Sequence, residues 1–436
     1  MYRIIIYNVL VYLFVFVYFV FYGYKEPIPL YMFVIQSLFL LFYSVNLYLS
    51  IKSNSIYTVL FLVFLYSVIF SLLIRYGFLV NTYKPFGDAV DSYNYDSWAS
   101  NSIDKSFERY IDDILLLGYK NDDLGYPAIL YIFYNIMGSS EAGRWIMLIV
   151  NAFFIMVSTN YLYGFMRLFS MDKKQARFFS AIWGFFPFLS VTSAVGLKEN
   201  FFSAIIIASF YYMYMFKMNK SVKYLLIFIP LSLLSYYFRI VLIPMLILSF
   251  VSLMLVNKYN KKSILVFFLI SVVVGVIFIN LFISYFYSIS LDFVLDMNSN
   301  RFSDTSGTII FKWFVQMIAA IIGPFPNFNQ MASYGMLHSS GLVLKVLLSY
   351  LLGVGVYLVI KNTLYEYYPL IIFLLMGGVM LVISGVALDM RYHITFFPII
   401  LPLVALSLKN KNILISKKYL SYIVLIIFII IAYNGR

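Results

Sequence analysis

The stretch YIVLIIFIIIAY, residues 422–433, decides the fold class, because it is apolar throughout and does not alternate with polar residues. A membrane β-barrel would show segments of about ten residues in which apolar and polar side chains alternate. A continuous apolar run in hydrocarbon has to satisfy its own backbone hydrogen bonds, as an α-helix does. The stretch therefore predicts a membrane-spanning helix.

Similar runs recur along the whole chain, and the composition excludes a soluble protein. Of the 436 residues, 63% are hydrophobic, 21% aromatic and 11% charged, whereas a soluble domain is about 25% charged. The sequence predicts an all-α integral membrane protein, one polytopic domain over 1–436 with about thirteen transmembrane helices, between about eleven and fourteen. The predicted spans are 3–22, 28–50, 56–80, 143–168, 178–196, 199–216, 222–237, 240–256, 263–286, 341–360, 366–386, 392–408 and 416–433.

Residue types that are absent or rare exclude several chemistries. The chain has no cysteine, so thiolate metal sites and cysteine nucleophiles are excluded,. It has two histidines, His338 and His393, and no nucleotide-phosphate motif, which argues against a zinc centre and against ATP,. We therefore expect no cofactor and no metal site. A divalent ion is compatible with the carboxylate-rich loop described below, but no ligand spacing requires one.

The charge distribution predicts the topology. The net charge of +13 indicates a cytoplasmic loop bias rather than a nucleic-acid partner,. Basic residues cluster in every second loop, which predicts a multi-pass protein of the bacterial cytoplasmic (inner) membrane with its N-terminus in the cytoplasm and its C-terminus outside. The basic loops carry Lys52; Arg167, Lys173, Lys174 and Arg177; Lys217, Lys220 and Lys223; Lys258, Lys261 and Lys262; Lys361; and Lys409, Lys411, Lys417 and Lys418.

Two polar segments then lie on the predicted outer face. The first, 81–142, contains a large acidic loop at 81–124 and is expected to form short amphipathic helices. The second, 287–340, is expected to contain a re-entrant segment. The apolar stretches 125–137 and 309–325 are too short or too broken by proline to cross, so both are interpreted as interfacial or re-entrant,.

Ionisable residues near membrane depth are costly and are functional candidates for that reason. Asp88 and Asp91 follow the third predicted span, and a spacing of three places both carboxylates on one face if the stretch is helical,. Such a pair can act as a base toward a hydroxyl group. The alternative is that both are N-terminal helix acids in a solvated loop.

Lys198, Glu199 and Arg239 are candidates at predicted outer turns. Lys198 could hold a phosphate and Glu199 a hydroxyl group, although two adjacent charges can also mark the water boundary. Arg239 interrupts the long apolar stretch 222–256, which we divide into a hairpin. A guanidinium there suits an oxyanion such as phosphate, whereas its alternative role is to reach lipid headgroups.

Asp389, Arg391 and His393 open a late predicted span. Asp389 and His393 share a face at a spacing of four if helical, so the three residues could orient a pyrophosphate and shuttle a proton,. The alternative is an interfacial anchor in which Asp389 is a helix N-terminal acid. Arg75 and Arg301 are further outer-side cations that could join a pyrophosphate site, although each alone fits a structural or lipid-facing role.

Four motifs carry a resemblance to a known family. They are GDAVDSYNYDSWA (87–99), DLGYPAILYIFYN (123–135), LKE (197–199) and RYHITFFPIILPLVAL (391–406). Over about 75–408 the chain resembles multi-spanning glycosyltransferases of the GT-C type, and most closely the Wzy-type O-antigen or capsular polysaccharide polymerases. It departs from the GT-C pattern in having three apolar spans before the aspartate loop, where a typical GT-C enzyme has one.

The resemblance implies a GT-C-like bundle whose outer-face site uses a polyprenyl-diphosphate-linked oligosaccharide. It implies that Asp88 or Asp91 is the base, that Arg239 and Arg391 bind the pyrophosphate, and that membrane lipids and a chain-length regulator are partners. The expected function is polysaccharide polymerisation, in which the glycan is transferred onto a lipid-linked repeat unit. One alternative is a GT-C transferase that uses a polyprenyl-phosphate sugar. Another is a flippase or transporter for lipid-linked oligosaccharides.

Overall fold

The computed structural model describes residues 1–19, 30–87, 89–117, 123–255, 309–326, 328, 337–409 and 412–434. These residues form α-helices joined by turns, and none of them lies in a β-strand, which confirms the all-helical prediction for this part of the chain. In chain order the helices are α1 (Tyr2–Tyr18), α2 (Leu30–Lys52), α3 (Ile56–Thr82), α4 (Val90–Ser100), α5 (Phe107–Leu116), α6 (Gly125–Met137), α7 (Ser140–Leu168), α8 (Lys173–Gly184), α9 (Pro187–Val195), α10 (Glu199–Asn219), α11 (Val222–Leu234), α12 (Leu242–Leu255), α13 (Ile309–Ile321), α14 (Ser339–Asn362), α15 (Tyr368–Ile383), α16 (Phe397–Ser407) and α17 (Lys417–Asn434).

Eight elements of the described chain are long and apolar enough to cross a membrane: α2, α3, α7, α8 together with α9, α10, α14, α15 with its preceding turn, and α17. Four further predicted spans correspond to the shorter apolar helices α1, α11, α12 and α16. The remaining predicted span, 263–286, lies outside the described residues. Length and composition thus support a multi-spanning membrane protein, while the number of spans stays a prediction.

The predicted span at 178–196 corresponds to one candidate membrane span, Lys173–Val195, which is built from two helices rather than one. Helix α8 ends at Gly184 and α9 begins at Pro187. Proline lacks a backbone N–H and its ring clashes with the preceding turn, so the helix breaks and restarts with Pro187 in its first turn. Every residue of the broken element from Ala176 to Val195 is buried. The indole of Trp183 donates a hydrogen bond to the hydroxyl of Ser158 on α7 at 2.8 Å, so this element lies at the centre of the bundle.

The segment 81–142 contains the short helices α4, α5 and α6. Tyr110 and Ile114 on the buried side of α5 pack against Leu124, and the Tyr110 hydroxyl donates to the carbonyl of Pro127 at 3.0 Å. Helix α6 ends at Gly138, whose φ of 60° is a left-handed conformation that glycine adopts without strain,. The segment thus contains short helices, while their amphipathic character and the side of the membrane on which they lie stay predictions.

Of the second predicted outer segment, the structure describes residues 309–326, 328 and 337–340. Its helix α13 is followed by a cis peptide bond between Gly323 and Pro324. The amide of Asn434, at the end of α17, donates to the carbonyl of Pro326 at 2.9 Å and accepts from the backbone N–H of Phe328 at 2.6 Å. These bonds fasten the segment to the last helix. A re-entrant path for it remains a prediction.

Candidate functional site at one end of the bundle

Four segments far apart in the sequence meet at one end of the helices, and each contributes one charged side chain. Asp91 lies in the first turn of α4 and Glu199 in the first turn of α10. Arg239 lies in the turn between α11 and α12, and Arg391 lies in a single helical turn between α15 and α16. We call these four residues the arginine–carboxylate cluster. Each was a sequence candidate, and the structure brings all four together.

Arg391 joins the two carboxylates of the cluster. Its Nη2 lies 2.6 Å from Asp91 Oδ2, and its Nε lies 3.2 Å from Glu199 Oε1. Nη2 of Arg239 lies 3.8 Å from the same Glu199 oxygen. One carboxylate therefore holds two guanidinium groups, and Arg391 additionally reaches a second carboxylate.

The position of Glu199 follows from the local turn. Gly196 ends α9 with φ of 73°, and α10 starts three residues later at Glu199. An acidic side chain in the first turn of a helix is favoured by the helix dipole and by free backbone N–H groups. The Glu199 side chain is fully buried, and its second oxygen, Oε2, has no hydrogen-bond partner among the described residues.

Arg239 is held mainly by aromatic rings. Its guanidinium carbon lies 4.3 Å from the ring centroid of Tyr392 and 5.3 Å from that of Phe202. Cations over aromatic faces are attracted by the ring quadrupole, more strongly when water is excluded. Its Nε is buried without a hydrogen-bond partner among the described residues. The stacked guanidinium thus keeps a donor that a bound oxyanion could use.

The helical turn that carries Arg391 is capped by Asp389, which accepts a hydrogen bond from the backbone N–H of Arg391 at 2.8 Å. Burial raises the pKa of Asp389, and the capping hydrogen bond and the Arg391 charge only partly offset it. Burial alone would lower the pKa of Arg391, but the charges of Glu199 and Asp91 outweigh it and the pKa lies above its usual value. Arg391 is therefore a cation at any working pH.

Lys198, the neighbour of Glu199, forms an ion pair with Asp123. The same carboxylate accepts hydrogen bonds from the hydroxyl of Tyr95 at 3.1 and 3.2 Å. Burial, followed by the charge of Asp123, raises the pKa of Tyr95, so its hydroxyl stays protonated and donates. Asp123 and Tyr95 were not sequence candidates, because nothing local separates Asp123 from the other acids of the loop.

Two sequence candidates are placed outside the cluster. The Arg75 guanidinium is buried and donates to the carbonyl of Ala194 at 2.9 and 2.7 Å and to that of Arg144 at 2.7 Å. His393 is buried, and its Nε2 lies 2.7 Å from the carbonyl oxygen of Ala387. Both contact patterns are those of structural residues.

Two of the sequence arguments placed a pair of residues on one helix face. Asp389 and His393 do not share a helix face, because Asp389 caps the turn Met390–His393 from outside it. Helix α4 begins at Val90, so Asp91 is helical while Asp88 precedes the helix and lies outside the described residues. Arg301 also lies outside the described residues.

In the described ranges no group of three or more His, Asp or Glu side chains is arranged to hold a metal ion.

A second charged pair joins the short helices α4 and α6 to α7. Nε and Nη2 of Arg144 on α7 each lie 2.7 Å from one oxygen of Asp96 on α4. The hydroxyl of Tyr134 on α6 donates to the same carboxylate at 2.7 Å. Bidentate guanidinium–carboxylate pairs are strong and directional, so Asp96 joins three helices.

We expect Asp96→Asn to destabilise the protein, because the amide cannot accept both guanidinium bonds. We expect the free energy of unfolding to fall by about 1–3 kcal/mol. The burial of Asp96 makes the loss of its bonds costly, whereas the exposure of a third of the Arg144 side chain limits that cost,. Thermal unfolding of the purified protein in detergent measures it. The matched control is Asp113→Asn, whose pair with Lys105 is exposed and should matter by less than about 0.5 kcal/mol. Equal melting temperatures for both variants would contradict the anchoring role.

Two cavities of the described chain lie away from the cluster. One of about 280 Å³ is lined by Lys217 and Glu366 among others, and one of about 300 Å³ by Lys52 and Phe185 among others. Neither of these two cavities includes a residue of the cluster. The convergence of charged side chains defines the candidate site.

The chain was compared with protein-family models, with curated proteins and with solved structures. No family model, curated protein or solved structure matches it. The candidate site therefore rests on its own geometry.

Proposed function

We propose that this protein is a glycosyltransferase of the bacterial cytoplasmic membrane, specifically a polysaccharide (O-antigen) polymerase. It would transfer a polyprenyl-diphosphate-linked glycan onto a lipid-linked repeat unit at the outer face. The observation that supports this most is the convergence of Arg239 and Arg391 on the buried carboxylate of Glu199. Thirteen spans, a GT-C-like bundle and a cytoplasmic N-terminus are parts of the same proposal.

The chemistry of the cluster suits a diphosphate leaving group. Guanidinium groups bind phosphate oxygens through charge-assisted hydrogen bonds. Arg239 and Arg391 are both mostly shielded from water, with side chains 17% and 20% exposed, so their attraction for a phosphate is screened less than at an open surface. A lipid-linked substrate would bring its phosphates to this depth at the end of the helices.

In the proposed reaction the acceptor hydroxyl gives its proton to a carboxylate, for which Asp91 and Glu199 are the described candidates. The hydroxyl oxygen attacks the anomeric carbon of the donor glycan. The bond between that carbon and the diphosphate oxygen breaks, and its electron pair leaves with polyprenyl diphosphate. Arg239 and Arg391 would stabilise the charge that develops on the leaving oxygen.

The test is the surface glycan of a strain that lacks the gene, complemented with wild type, Arg391→Ala, Arg391→Lys or the control Lys105→Ala. We expect wild type and Lys105→Ala to restore long glycan ladders, because Lys105 pairs only with the exposed Asp113 among the described residues. Arg391→Ala should leave single repeat units, since losing one such contact slows turnover by about a hundredfold or more. Arg391→Lys keeps the charge but not the planar fork, so shorter ladders are expected.

Membrane levels of each variant are measured in parallel, so that loss of function is separated from loss of protein. Normal ladders in the strain without the gene would overturn the polymerase proposal. A missing side-branch sugar with normal ladders would indicate the GT-C transferase with a polyprenyl-phosphate donor. Repeat-unit lipid that accumulates on the inner leaflet would indicate the transporter.

A further inference from the structure

Arg391 lies between an inner and an outer carboxylate. Its Nε faces Glu199, which is fully buried, and its Nη2 faces Asp91, whose side chain is 45% exposed. The contact with Asp91 is short, at 2.6 Å, and is the only contact of Asp91 to a cation in the described part of the chain. The Nη2 group of Arg391, on the side of the partly exposed carboxylate, is therefore already bound by a residue of the protein itself.

The charges near Arg391 disfavour the binding of an additional polyanion. Around Arg391 the described residues supply two cations, Arg239 and Arg391, and three carboxylates, Asp91, Asp389 and Glu199. A diphosphate brings further negative charge, and like charges in close contact are costly. Release of one carboxylate would relieve that repulsion. Asp91 is the one that can be released, because Glu199 is enclosed and Asp389 caps a helical turn.

We propose that Asp91 is an internal competitor that occupies, on Arg391, the position taken by a phosphate group of the substrate. Carboxylates and phosphates bind a guanidinium through the same kind of charge-assisted hydrogen bond, so the exchange needs no rearrangement of the arginine. Glu199 stays in place and holds the two guanidinium groups together. The identification of the anion as a diphosphate rests on the proposed function.

The exchange has a consequence for the reaction. While Asp91 is bound to Arg391, its Oδ2 is engaged by the guanidinium at 2.6 Å and is not available to a substrate hydroxyl group. Binding of the diphosphate releases the carboxylate at the moment when the donor is in place. Asp91 then becomes free to accept the proton of an acceptor hydroxyl, which couples donor binding to the activation of the acceptor.

The test measures binding of inorganic pyrophosphate to the purified full-length protein in detergent, by calorimetry and by ligand-induced shift of the melting temperature. Asp91→Asn removes the competing charge and keeps the size of the side chain. We expect it to bind pyrophosphate about tenfold more tightly than wild type, the effect of one charge-assisted hydrogen bond. The matched control is Asp113→Asn, which removes the same charge from a side chain of similar exposure, 43%, that pairs with Lys105. This variant should bind pyrophosphate as tightly as wild type does.

Each outcome decides the proposal. Tighter binding by Asp91→Asn, with Asp113→Asn unchanged and binding lost in Arg391→Ala, supports the competition. Equal or weaker binding by Asp91→Asn overturns it, and so does the absence of binding in every variant. The proposed function is judged separately by the glycan ladders. Tighter pyrophosphate binding with ladders that do not depend on the gene would keep the competitor and reject the polymerase.

Discussion

Gly355→Ala is expected to prevent the protein from accumulating in the membrane, whereas Gly353→Ala on the same helix is expected to be harmless. A Cβ atom at Gly355 would lie 2.2 Å from the carbonyl oxygen of Leu403 and 2.8 Å from its carbonyl carbon. Both atoms belong to the backbone of α16, so no side chain can move aside. Helices α14 and α16 would therefore have to move apart where they are now in contact.

The reason is the way in which helices pack in lipid. Hydrocarbon surrounds apolar side chains as well as a neighbouring helix does, so association depends on close backbone approach at small residues. Overpacking in a tight interface costs about 1–3 kcal/mol and more where backbone must shift. The gain from alanine over glycine in a helix, about 1 kcal/mol, does not offset that cost at Gly355.

Gly353 supplies the matched control, because a Cβ there meets nothing within 4 Å. Both substitutions add the same methyl group to α14 and gain the same helix propensity. Amounts of protein in isolated membranes and melting temperatures in detergent measure the difference. We expect Gly353→Ala to equal or exceed wild type and Gly355→Ala to fall well below it. If the two variants behave alike, the close contact between α14 and α16 is wrong.

Hydropathy predicts where helices run but not where they break. The apolar stretches around α3 and α17 were predictable, because uninterrupted apolar residues have no other stable form in lipid,. The break at Gly184–Pro187 was missed, since two phenylalanines and a proline within an apolar run leave its mean hydropathy high. The proline ring breaks a helix by steric clash, which hydropathy does not measure. The presence of a proline alone does not predict a break either, because Pro230 lies inside helix α11.

The residues of the cluster were predictable one by one, but their contacts were not. Charges such as Arg239 and Arg391 stand out because they interrupt apolar sequence, where a charge is costly. That Arg391 reaches Glu199 and Asp91, at 192 and 300 residues of separation, has no local signal. The predicted pairing of Asp389 with His393 failed for a local reason. It assumed a helix through both, whereas Asp389 precedes the turn and caps it.

Glu199→Gln is expected to abolish glycan polymerisation and to destabilise the protein, because Glu199 is the fully buried partner of two guanidinium groups. A neutral amide leaves Arg239 without a described carboxylate and removes one of the two that Arg391 contacts. Removing one member of a buried charge pair costs about 3–5 kcal/mol, since the remaining charge is left uncompensated. Melting temperature in detergent and glycan ladders are both measured.

The double variant Glu199→Gln with Arg239→Gln separates stability from function. It removes the buried cation together with its carboxylate and leaves the pair of Arg391 and Asp91 intact. Replacing both partners of a buried pair is far less costly than replacing one, so we expect the melting temperature to recover toward wild type. Ladders should stay absent, because a phosphate-binding guanidinium is missing. Recovery of both properties would show that Glu199 and Arg239 serve only the fold, and recovery of neither would show that they are not an energetic pair.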